Sequence, residues 1–426
     1  MSNADALSRN WLFALLSLIG VLFVVASAVA QDAASPQLVA VVTPEDVDLE
    51  PEKLTEIDKL MSGEVDAGRI AGCIGLICRD EKIVFCQTWG DRDREKSQPM
   101  TEDTIFRIYS MSKPITSVAV MQLVEQGKLG LDDPAAKYLP PLGRVKVWTK
   151  DGLVDPVRPI SVRDLLRHTS GLTYGFFGDS YIDKEYQKAG ILLSDKTIEE
   201  TVEKLGDIPL LHQPGTRWHY SVSTDVLGRL VEVVSGQRFD EYLQQHIFEP
   251  LGMVDTSFVV PKEKLHRFAQ LYAPAGDTLK PASPWSSLRF TNPSNLFFSG
   301  GGGLCSTTHD YLRFSQMLLN RGELDGVRIL SEASLAEMTT NQLQGAAARG
   351  GFKFGLGFSI SPEGEFSWGG MAGTRFWVNP KRNMINLFMI QISPYRGGYG
   401  GKMKDVVFAA DRRVGSVEAS VLAPMP

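Results

Sequence analysis

Segments with the pattern of β-strands lie near the two ends of this chain, and its long middle has none that is clear. Residues 70–78 and 83–89 are rich in apolar side chains and flank a polar turn at 79–82, which predicts a hairpin. Comparable patterns return only at 352–360, 366–368, 374–378 and 384–392. A doubly wound parallel sheet needs strands that alternate with helices along the chain, so this order excludes that fold.

The fold class that this order favours is α+β. The early hairpin and the C-terminal strands would form one antiparallel sheet, with helices from both chain ends on one face and a long helical insertion on the other. Apolar residues at helical spacing predict the terminal helices at 51–65 and 403–412. The predicted helices of the insertion are 161–168, 197–205, 224–234, 240–246, 308–320 and 331–338, and everything between them is predicted to be loop.

These elements predict one domain over residues 51–415. Its sheet part would come from about 51–109 and 350–415, and its helical part from about 110–349. An irregular lead-in at 31–50 would precede the domain, and a tail at 416–426 would follow it.

The first 30 residues have the pattern of a secretory signal peptide. Arg9 precedes an apolar run from Trp11 to Ala26, and Ala28-Val29-Ala30 offers a small-x-small cleavage site. Cleavage after Ala30 predicts an exported protein, either periplasmic or secreted. The apolar run is only just shorter than a bilayer span, so an uncleaved membrane anchor is the alternative.

Composition argues against several kinds of partner. The net charge of -6 and the lack of a basic stripe argue against nucleic acid.

Four cysteines are too few for a disulfide scaffold in 426 residues. With a two-residue hairpin turn, Cys86 would face Gly75 and leave Cys73 as a diagonal neighbour, so we expect buried thiols more than a bridge. The six histidines form no His-x-His or His-Glu-x-x-His cluster and there is no Cys-x-x-Cys, so the sequence supports neither a metal site nor a cofactor.

Ser110 and Lys113 form the first candidate catalytic pair. They stand three residues apart where an apolar helix begins, so their side chains share one face, and Ser110 lies beside free backbone N–H groups. Serine is a weak nucleophile at neutral pH, and an amine activates it only where burial or a neighbouring cation lowers the amine's pKa. The same spacing also arises as a helix cap followed by a solvated lysine. The apolar face of this helix is predicted to consist of Val118, Met121, Leu123 and Val124.

Two later stretches carry the other candidate residues. Tyr220 follows a Pro-Gly turn and precedes a helix, so its phenol lies on a loop beside a helix start; alone, such a tyrosine is usually a packing residue. In the stretch 368–374, Trp-Gly-Gly-Met-Ala-Gly-Thr, glycines interrupt two strand patterns. Those glycines could form a hairpin turn, or they could let a substrate carbonyl approach a free N–H.

The order of these motifs resembles the serine β-lactamase and penicillin-binding-protein superfamily. The matching motifs are Ser110-x-x-Lys113, Tyr220-Ser221-Val222 and Trp368-Gly369-Gly370. The stretches 165–172, 250–256 and 301–307 also match, and the resemblance is closest to the class C-like branch, the family VIII carboxylesterases. It runs from about residue 55 to about residue 410 and implies a β-lactamase/transpeptidase-like fold.

The resemblance also implies a mechanism. Ser110 would be the nucleophile, and Lys113 and Tyr220 would share the general acid and base work. The N–H groups of Ser110 and Met371 would form the oxyanion hole, and an acyl-enzyme on Ser110 would be released by water. A small-molecule ester or lactam would be the substrate.

Two positions depart from the family pattern. Val222 replaces the Asn of the usual Tyr-x-Asn, and Trp368 replaces the Lys of the usual Lys-Thr-Gly. In the β-lactamases those two residues help to hold the amide and the carboxylate of the antibiotic. The resemblance therefore implies a substrate-binding site at Val222, Trp368, Gly369 and Gly370 that favours neutral, apolar esters over anionic lactams. The alternatives are a β-lactamase, a D-amino-acid peptidase or transpeptidase, and a catalytically silent binding or sensor domain. An α/β-hydrolase is not supported, because the sequence contains no Gly-x-Ser-x-Gly elbow.

Overall fold

Helices dominate the middle of the chain and also cover its two ends. The structure, a computed structural model, describes residues 40–192 and 196–413, so the predicted signal peptide, the tail and the first part of the lead-in lie outside the described residues. The helices are α1 Pro51–Asp66, α2 Ser112–Glu125, α3 Val162–Leu166, α4 Tyr181–Ala189, α5 Ile198–Leu205, α6 Ser223–Ser235, α7 Phe239–Leu243, α8 Glu249–Leu251, α9 Leu288–Thr291, α10 Thr308–Leu319, α11 Glu332–Thr339 and α12 Tyr399–Ala409. Within the described residues, no helix has the length and apolarity needed to cross a bilayer.

One eight-stranded antiparallel sheet joins strands from both ends of the chain. The strands are β1 Gly72–Arg79, β2 Lys82–Asp93, β3 Gln98–Pro99, β4 Phe106–Arg107, β5 Val147–Thr149, β6 Gly152–Val154, β7 Tyr272–Ala275, β8 Thr278–Pro281, β9 Cys305–Ser306, β10 Glu323–Leu324, β11 Val327–Arg328, β12 Lys353–Phe354, β13 Ser359–Ile360, β14 Phe366–Gly369, β15 Arg375–Asn379 and β16 Met384–Ile390. The order in the large sheet is β12-β13-β14-β15-β16-β1-β2-β3. β1 pairs with β16, with Leu76 opposite Leu387, which confirms the predicted closure between the two chain ends.

The two faces of this sheet bury different layers of helix. Successive residues of a strand point to opposite faces, and β1 follows this rule. Cys73 and Ile77 pack in a cluster with side chains of α1 and α12. Ile74 and Leu76 pack in the larger cluster with the helical insertion, where α10 lies against β15 and β16. The predicted layers of an α+β fold are therefore confirmed.

The middle of the chain contains short strands that the sequence did not predict. β5 pairs with β6, β7 with β8, β10 with β11, and β4 with β9. Each of these strands has four residues or fewer, which is too short for a period of two to be visible in the sequence. The predicted continuous strand at 352–360 is also wrong: it is the hairpin of β12 and β13, with Gly357 in the left-handed region at φ +100°.

The four cysteines are free, as predicted, although the predicted register of one is wrong. Cys86 lies opposite Leu76 instead of Gly75 because an irregularity between Ile77 and Cys78 puts one extra residue into β2. Cys86 is half-buried, whereas the other three cysteines are buried.

Helix α2 is buried on all sides, so the predicted single apolar face is too narrow a description. Residues 112–123 are all buried. Its polar side chains find partners inside the protein: Thr116 Oγ1 donates to the Gly300 carbonyl at 2.8 Å, and Gln122 Nε2 donates to the Ile329 carbonyl at 3.2 Å. A helix fixed in this way is a rigid support for the residues at its start.

A buried acid in α10 makes the stability of this fold depend on pH. Asp310 Oδ2 accepts bonds from the Asp255 N–H at 2.7 Å and the Thr256 hydroxyl at 2.8 Å, yet burial raises the pKa of Asp310 from 3.8 to about 6. Between these two values the folded state binds more protons than the unfolded state, so this residue lowers the free energy of unfolding as the pH rises from about 4 to 6. Over this range the contribution of Asp310 to the free energy of unfolding falls by about 3 kcal/mol.

Asp310→Asn should remove this pH dependence, because an amide oxygen accepts the same two bonds and never ionises. We expect the variant to gain stability relative to the wild type at pH 7 and to match it near pH 4, as measured by urea unfolding at both pH values. Parallel pH profiles for the two proteins would contradict the assignment.

Candidate active site

Ser110 lies in a tight turn between β4 and α2. The turn Tyr109–Met111 is a short 3-10 segment, and the pairing of β4 with β9 and a bond from the Ile108 N–H to the Leu304 carbonyl, at 3.1 Å, fix the chain before it. Tyr109 has φ +42°, which is uncommon for a residue other than glycine, and its ring packs edge-on against Phe290 with a centroid separation of 5.6 Å. As predicted, Ser110 therefore stands at the beginning of the helix.

The structure brings the three predicted catalytic residues together. Lys113 Nζ is 3.2 Å from Ser110 Oγ, and the Tyr220 hydroxyl donates to the same oxygen at 2.7 Å. Lys113 is 1% exposed, donates to the Gly301 carbonyl, and has its amine 4.7 Å from the centre of the Tyr220 ring. The alternative of a helix cap followed by a solvated lysine is therefore wrong.

A buried carboxylate fixes the loop that accepts the bond from Lys113. Asp225, in α6, accepts bonds from the Gly301 N–H at 3.1 Å and from the Ser299 hydroxyl. Asp225 thus binds the N–H of the same glycine whose carbonyl accepts the bond from the Lys113 amine. Asp225 could not be identified from the sequence, because only the fold places it beside residues 299–301.

His168 supports Tyr220 as a neutral ring. Its ring centroid is 4.9 Å from that of Tyr220, and its Nδ1 is 3.3 Å from Ser221 Oγ. Burial lowers the pKa of His168 well below its ordinary value, and the nearby Lys113 charge adds to this effect. His168 therefore packs as an uncharged side chain at neutral pH. It falls within the stretch 165–172 that matched the family pattern, although no role could be given to it from the sequence.

An aromatic cavity of about 380 Å³ opens in front of Ser110. Tyr174, Phe176 and Phe177 form much of its wall, and the last two are more than half exposed at its mouth. No motif marked these residues; the signal in the sequence was three aromatic side chains within four positions, shortly after the matched stretch 165–172. The other lining residues are Tyr109, Leu192, Tyr220, Arg289, Ser299, Gly301, Gly302 and Met371.

The glycines at 369–370 belong to a hairpin turn between β14 and β15. The Gly370 N–H donates to the Thr374 carbonyl at 2.7 Å, and the Gly373 N–H donates to the Gly370 carbonyl at 3.0 Å. Neither Gly369 nor Gly370 lines the cavity, but Met371 does. No acceptor in the described part of the chain takes the Met371 N–H, and Met371 lines the same cavity as Ser110.

The other two predicted substrate-binding residues, Trp368 and Val222, do not line this cavity. Trp368 supports Tyr220, whose hydroxyl is 3.4 Å from the indole N–H, and lines a second cavity of about 850 Å³ together with Trp218 and Phe352. Val222 has no exposed surface and packs in the main core, so its side chain cannot touch a substrate. The prediction for Val222 is wrong because the chain enters α6 at this residue and turns the apolar side chain inward.

An antiparallel sheet between two helical layers, with a serine, a lysine and a tyrosine in contact beside a cavity, defines a protein of the β-lactamase and transpeptidase fold class. A family model described as Beta-lactamase matches residues 57–401, and the chain belongs to this family. It is 36% identical to the protein Rv1367c of Mycobacterium tuberculosis over 356 residues, which cover 77% of this chain and 88% of that protein. It is 30% identical to esterase EstB of Burkholderia gladioli over 386 residues, which cover 83% and 94% of the two chains. The solved structure of EstCE1, a hydrolase with promiscuous acyltransferase activity, matches with a TM-score of 0.74 at 28% identity and covers 84% of this chain and 99% of its own.

Gly370 allows the hairpin to approach the serine turn, and this contact can be tested. A Cβ at this position would lie 2.5 Å from the Ile108 carbonyl and 2.3 Å from Thr374 Oγ1, so either the serine turn or the hairpin must shift. We expect Gly370→Ala to lower stability by about 1–3 kcal/mol. It should also slow the labelling of Ser110 by a fluorophosphonate probe by about ten- to a hundredfold.

Gly369→Ala is the matched control, because its Cβ would have its nearest contact at 3.3 Å, with the Thr374 carbonyl. Thermal unfolding and the rate of probe labelling measure the two effects. If both variants behave alike, the close approach at Gly370 does not position Ser110.

Proposed function

We propose that this protein is a serine hydrolase that cleaves carboxylic esters through an acyl-enzyme on Ser110. The observation that carries the proposal is the double contact of Ser110 Oγ with the Lys113 amine and the Tyr220 hydroxyl, at the inner end of an aromatic cavity. A nucleophile and its base within hydrogen-bond reach, with the base itself held by further contacts, is the arrangement that covalent catalysis requires.

The proposed reaction has two halves. Ser110 Oγ attacks the ester carbonyl while its proton passes to the Tyr220 and Lys113 pair, and the same pair returns a proton to the departing alcohol. The N–H groups of Ser110 and Met371 hold the oxyanion of the tetrahedral intermediate; one such donor contributes about 3 kcal/mol in related chemistry. Water then attacks the acyl-enzyme by the reverse sequence of proton transfers and releases the acid.

The lining of the cavity supports an ester with an apolar acyl group. Tyr174, Phe176, Phe177 and Leu192 offer apolar surface, and among the described lining residues there is no carboxylate. The similarity to EstB, an esterase, agrees with this substrate class. EstCE1 is a hydrolase that also transfers acyl groups, so transfer to an alcohol in place of water is the natural side reaction to test here.

One observation favours the lactam alternative. Arg289 lines the cavity and is held by a bond from Nη2 to the Gly302 carbonyl at 3.2 Å, and no carboxylate in the described residues pairs with it. A guanidinium in this position could receive the carboxylate of a penicillin or cephalosporin. The usual lysine anchor is absent at Trp368, which removes about 1.5–3 kcal/mol of charge-assisted binding. We therefore retain the ester as the proposed substrate.

Ser110→Ala should abolish hydrolysis of a short p-nitrophenyl ester while leaving the melting temperature unchanged, because a small side chain replaces a small one. We expect kcat/KM to fall by at least about a thousandfold, and Tyr220→Phe to cost about a hundredfold. Release of p-nitrophenolate measures both effects. A wild-type protein without ester hydrolysis would support the silent binding domain instead, and a Ser110→Ala variant within tenfold of the wild type would exclude Ser110 as the nucleophile.

The substrate class is tested by comparing the same ester with nitrocefin. We expect kcat/KM for the ester to be at least about a hundredfold higher, reading the ratio as a difference in transition-state stabilisation. If nitrocefin is hydrolysed measurably, Arg289→Gln should reduce that activity more than it reduces ester hydrolysis, since only the lactam carries a carboxylate. Equal rates for the ester and nitrocefin would instead assign the protein as a β-lactamase.

A further inference from the structure

Three side chains with metal-binding groups meet at the surface of the protein, outside the Ser110 cavity. Cys86 comes from β2, Glu102 from the loop before β4, and His309 from the first turn of α10. The thiol, one carboxylate oxygen and one imidazole nitrogen all lie within 4.8 Å of one another. His309 Nε2 and Glu102 Oε2 are 3.2 Å apart.

We propose that Cys86, Glu102 and His309 bind a divalent zinc ion. Ligands at the usual zinc distances of about 2.0–2.3 Å in a tetrahedron are separated from each other by about 3.3–3.6 Å. The observed His309–Glu102 separation of 3.2 Å is close to this value, and Cys86 Sγ, within 4.8 Å of the other two ligand atoms, needs to approach them by up to about 1.2 Å. Sulfur and imidazole ligands select zinc over magnesium or calcium, which prefer oxygen ligands alone.

The backbone at each ligand position is ordered by contacts of its own. Cys86 is fixed in the ladder between β2 and β1. The turn that carries Glu102 is closed by a bond from the Thr101 N–H to Thr104 Oγ1 at 3.1 Å. His309 follows the N-cap of α10, where Thr307 Oγ1 accepts the Asp310 N–H at 3.1 Å. The three ligand positions therefore lie on backbone that is held independently of any ion.

The site has the charge balance and the access that a zinc ion needs. On binding, the Cys86 thiol transfers its proton to solvent, so that the thiolate and the Glu102 carboxylate neutralise the two charges of the ion. The side chains of His309 and Glu102 are 43% and 56% exposed, which gives the ion an entry path and leaves the fourth position to water.

With three protein ligands and a water, the site is of the open type, and the proposed ion also links separate parts of the fold. The ion would connect β2 of the large sheet to α10 of the helical part and to the loop that leads into β4. None of the three ligands lines the Ser110 cavity, so the proposal is independent of the proposed ester hydrolysis.

Cobalt is the probe for the test, because a cobalt–thiolate bond gives a charge-transfer band in the near ultraviolet. The full chain is freed of metal with a chelator, kept reduced and titrated with Co²⁺; we expect this band to saturate at one ion per chain and to be abolished by excess Zn²⁺. Zinc alone should raise the melting temperature, and a chelator should reverse the rise, because the ion binds the folded state.

Variants assign the ligands. Cys86→Ser should lose the charge-transfer band and the thermal shift, and Glu102→Gln, at an exposed position that tolerates substitution, should weaken both. His266→Ala, which removes an exposed histidine outside the cluster, is the control and should bind as the wild type does. No band in the wild type, a band that persists in Cys86→Ser, or a zinc-induced thermal shift that is equal in all variants would overturn the proposal.

Discussion

The Lys113 amine, buried beside Ser110, is the constraint on which the rest of the site depends. Removing an amine from water is costly unless polar groups replace the solvent. Here the Gly301 carbonyl, the Ser110 hydroxyl and the face of Tyr220 take that place. The Asp225 carboxylate accepts a bond from the Gly301 N–H. A Cβ at Gly301 would lie 2.4 Å from Asp225 Oδ2, so the loop reaches Lys113 only with a glycine at this position.

The fold connects this local constraint to both chain ends. β4 leads into the Ser110 turn and pairs with β9, which lies nearly 200 residues further along the chain. The same segment supplies the carbonyls of Gly300 and Gly301 to α2, and the hairpin between β14 and β15 brings Met371 to the cavity from the C-terminal part of the sheet. Three distant segments therefore assemble one site. β4 is held by β9 in a separate two-stranded pair, and the hairpin of the large sheet approaches the serine turn at Gly370.

Patterns that repeat along the chain could be predicted from the sequence, whereas contacts between distant loops could not. The strand patterns at the two chain ends predicted the large sheet, and the order of the motifs predicted that Ser110, Lys113 and Tyr220 share one site. The wall formed by Phe176 and Phe177 and the two-residue strands depend on tertiary contacts that leave no period in the sequence. The error at Val222 has the same origin, because a motif position does not determine whether a side chain points into a cavity or into the core. The cluster of Cys86, Glu102 and His309 could not be predicted from the sequence either, because Glu102 and His309 are 207 positions apart and only the fold brings them together.

The proposed acyl-enzyme on Ser110 can be trapped and located. The protein is mixed with a p-nitrophenyl ester, quenched with acid within the first turnovers, and examined by intact mass spectrometry and peptide mapping. We expect a burst of p-nitrophenolate and a mass increase of one acyl group, located on Ser110. Steady ester turnover with neither a burst nor an acyl adduct in the mass spectrum would contradict an acyl-enzyme. An acyl group located on another residue would contradict the assignment of Ser110 as the nucleophile.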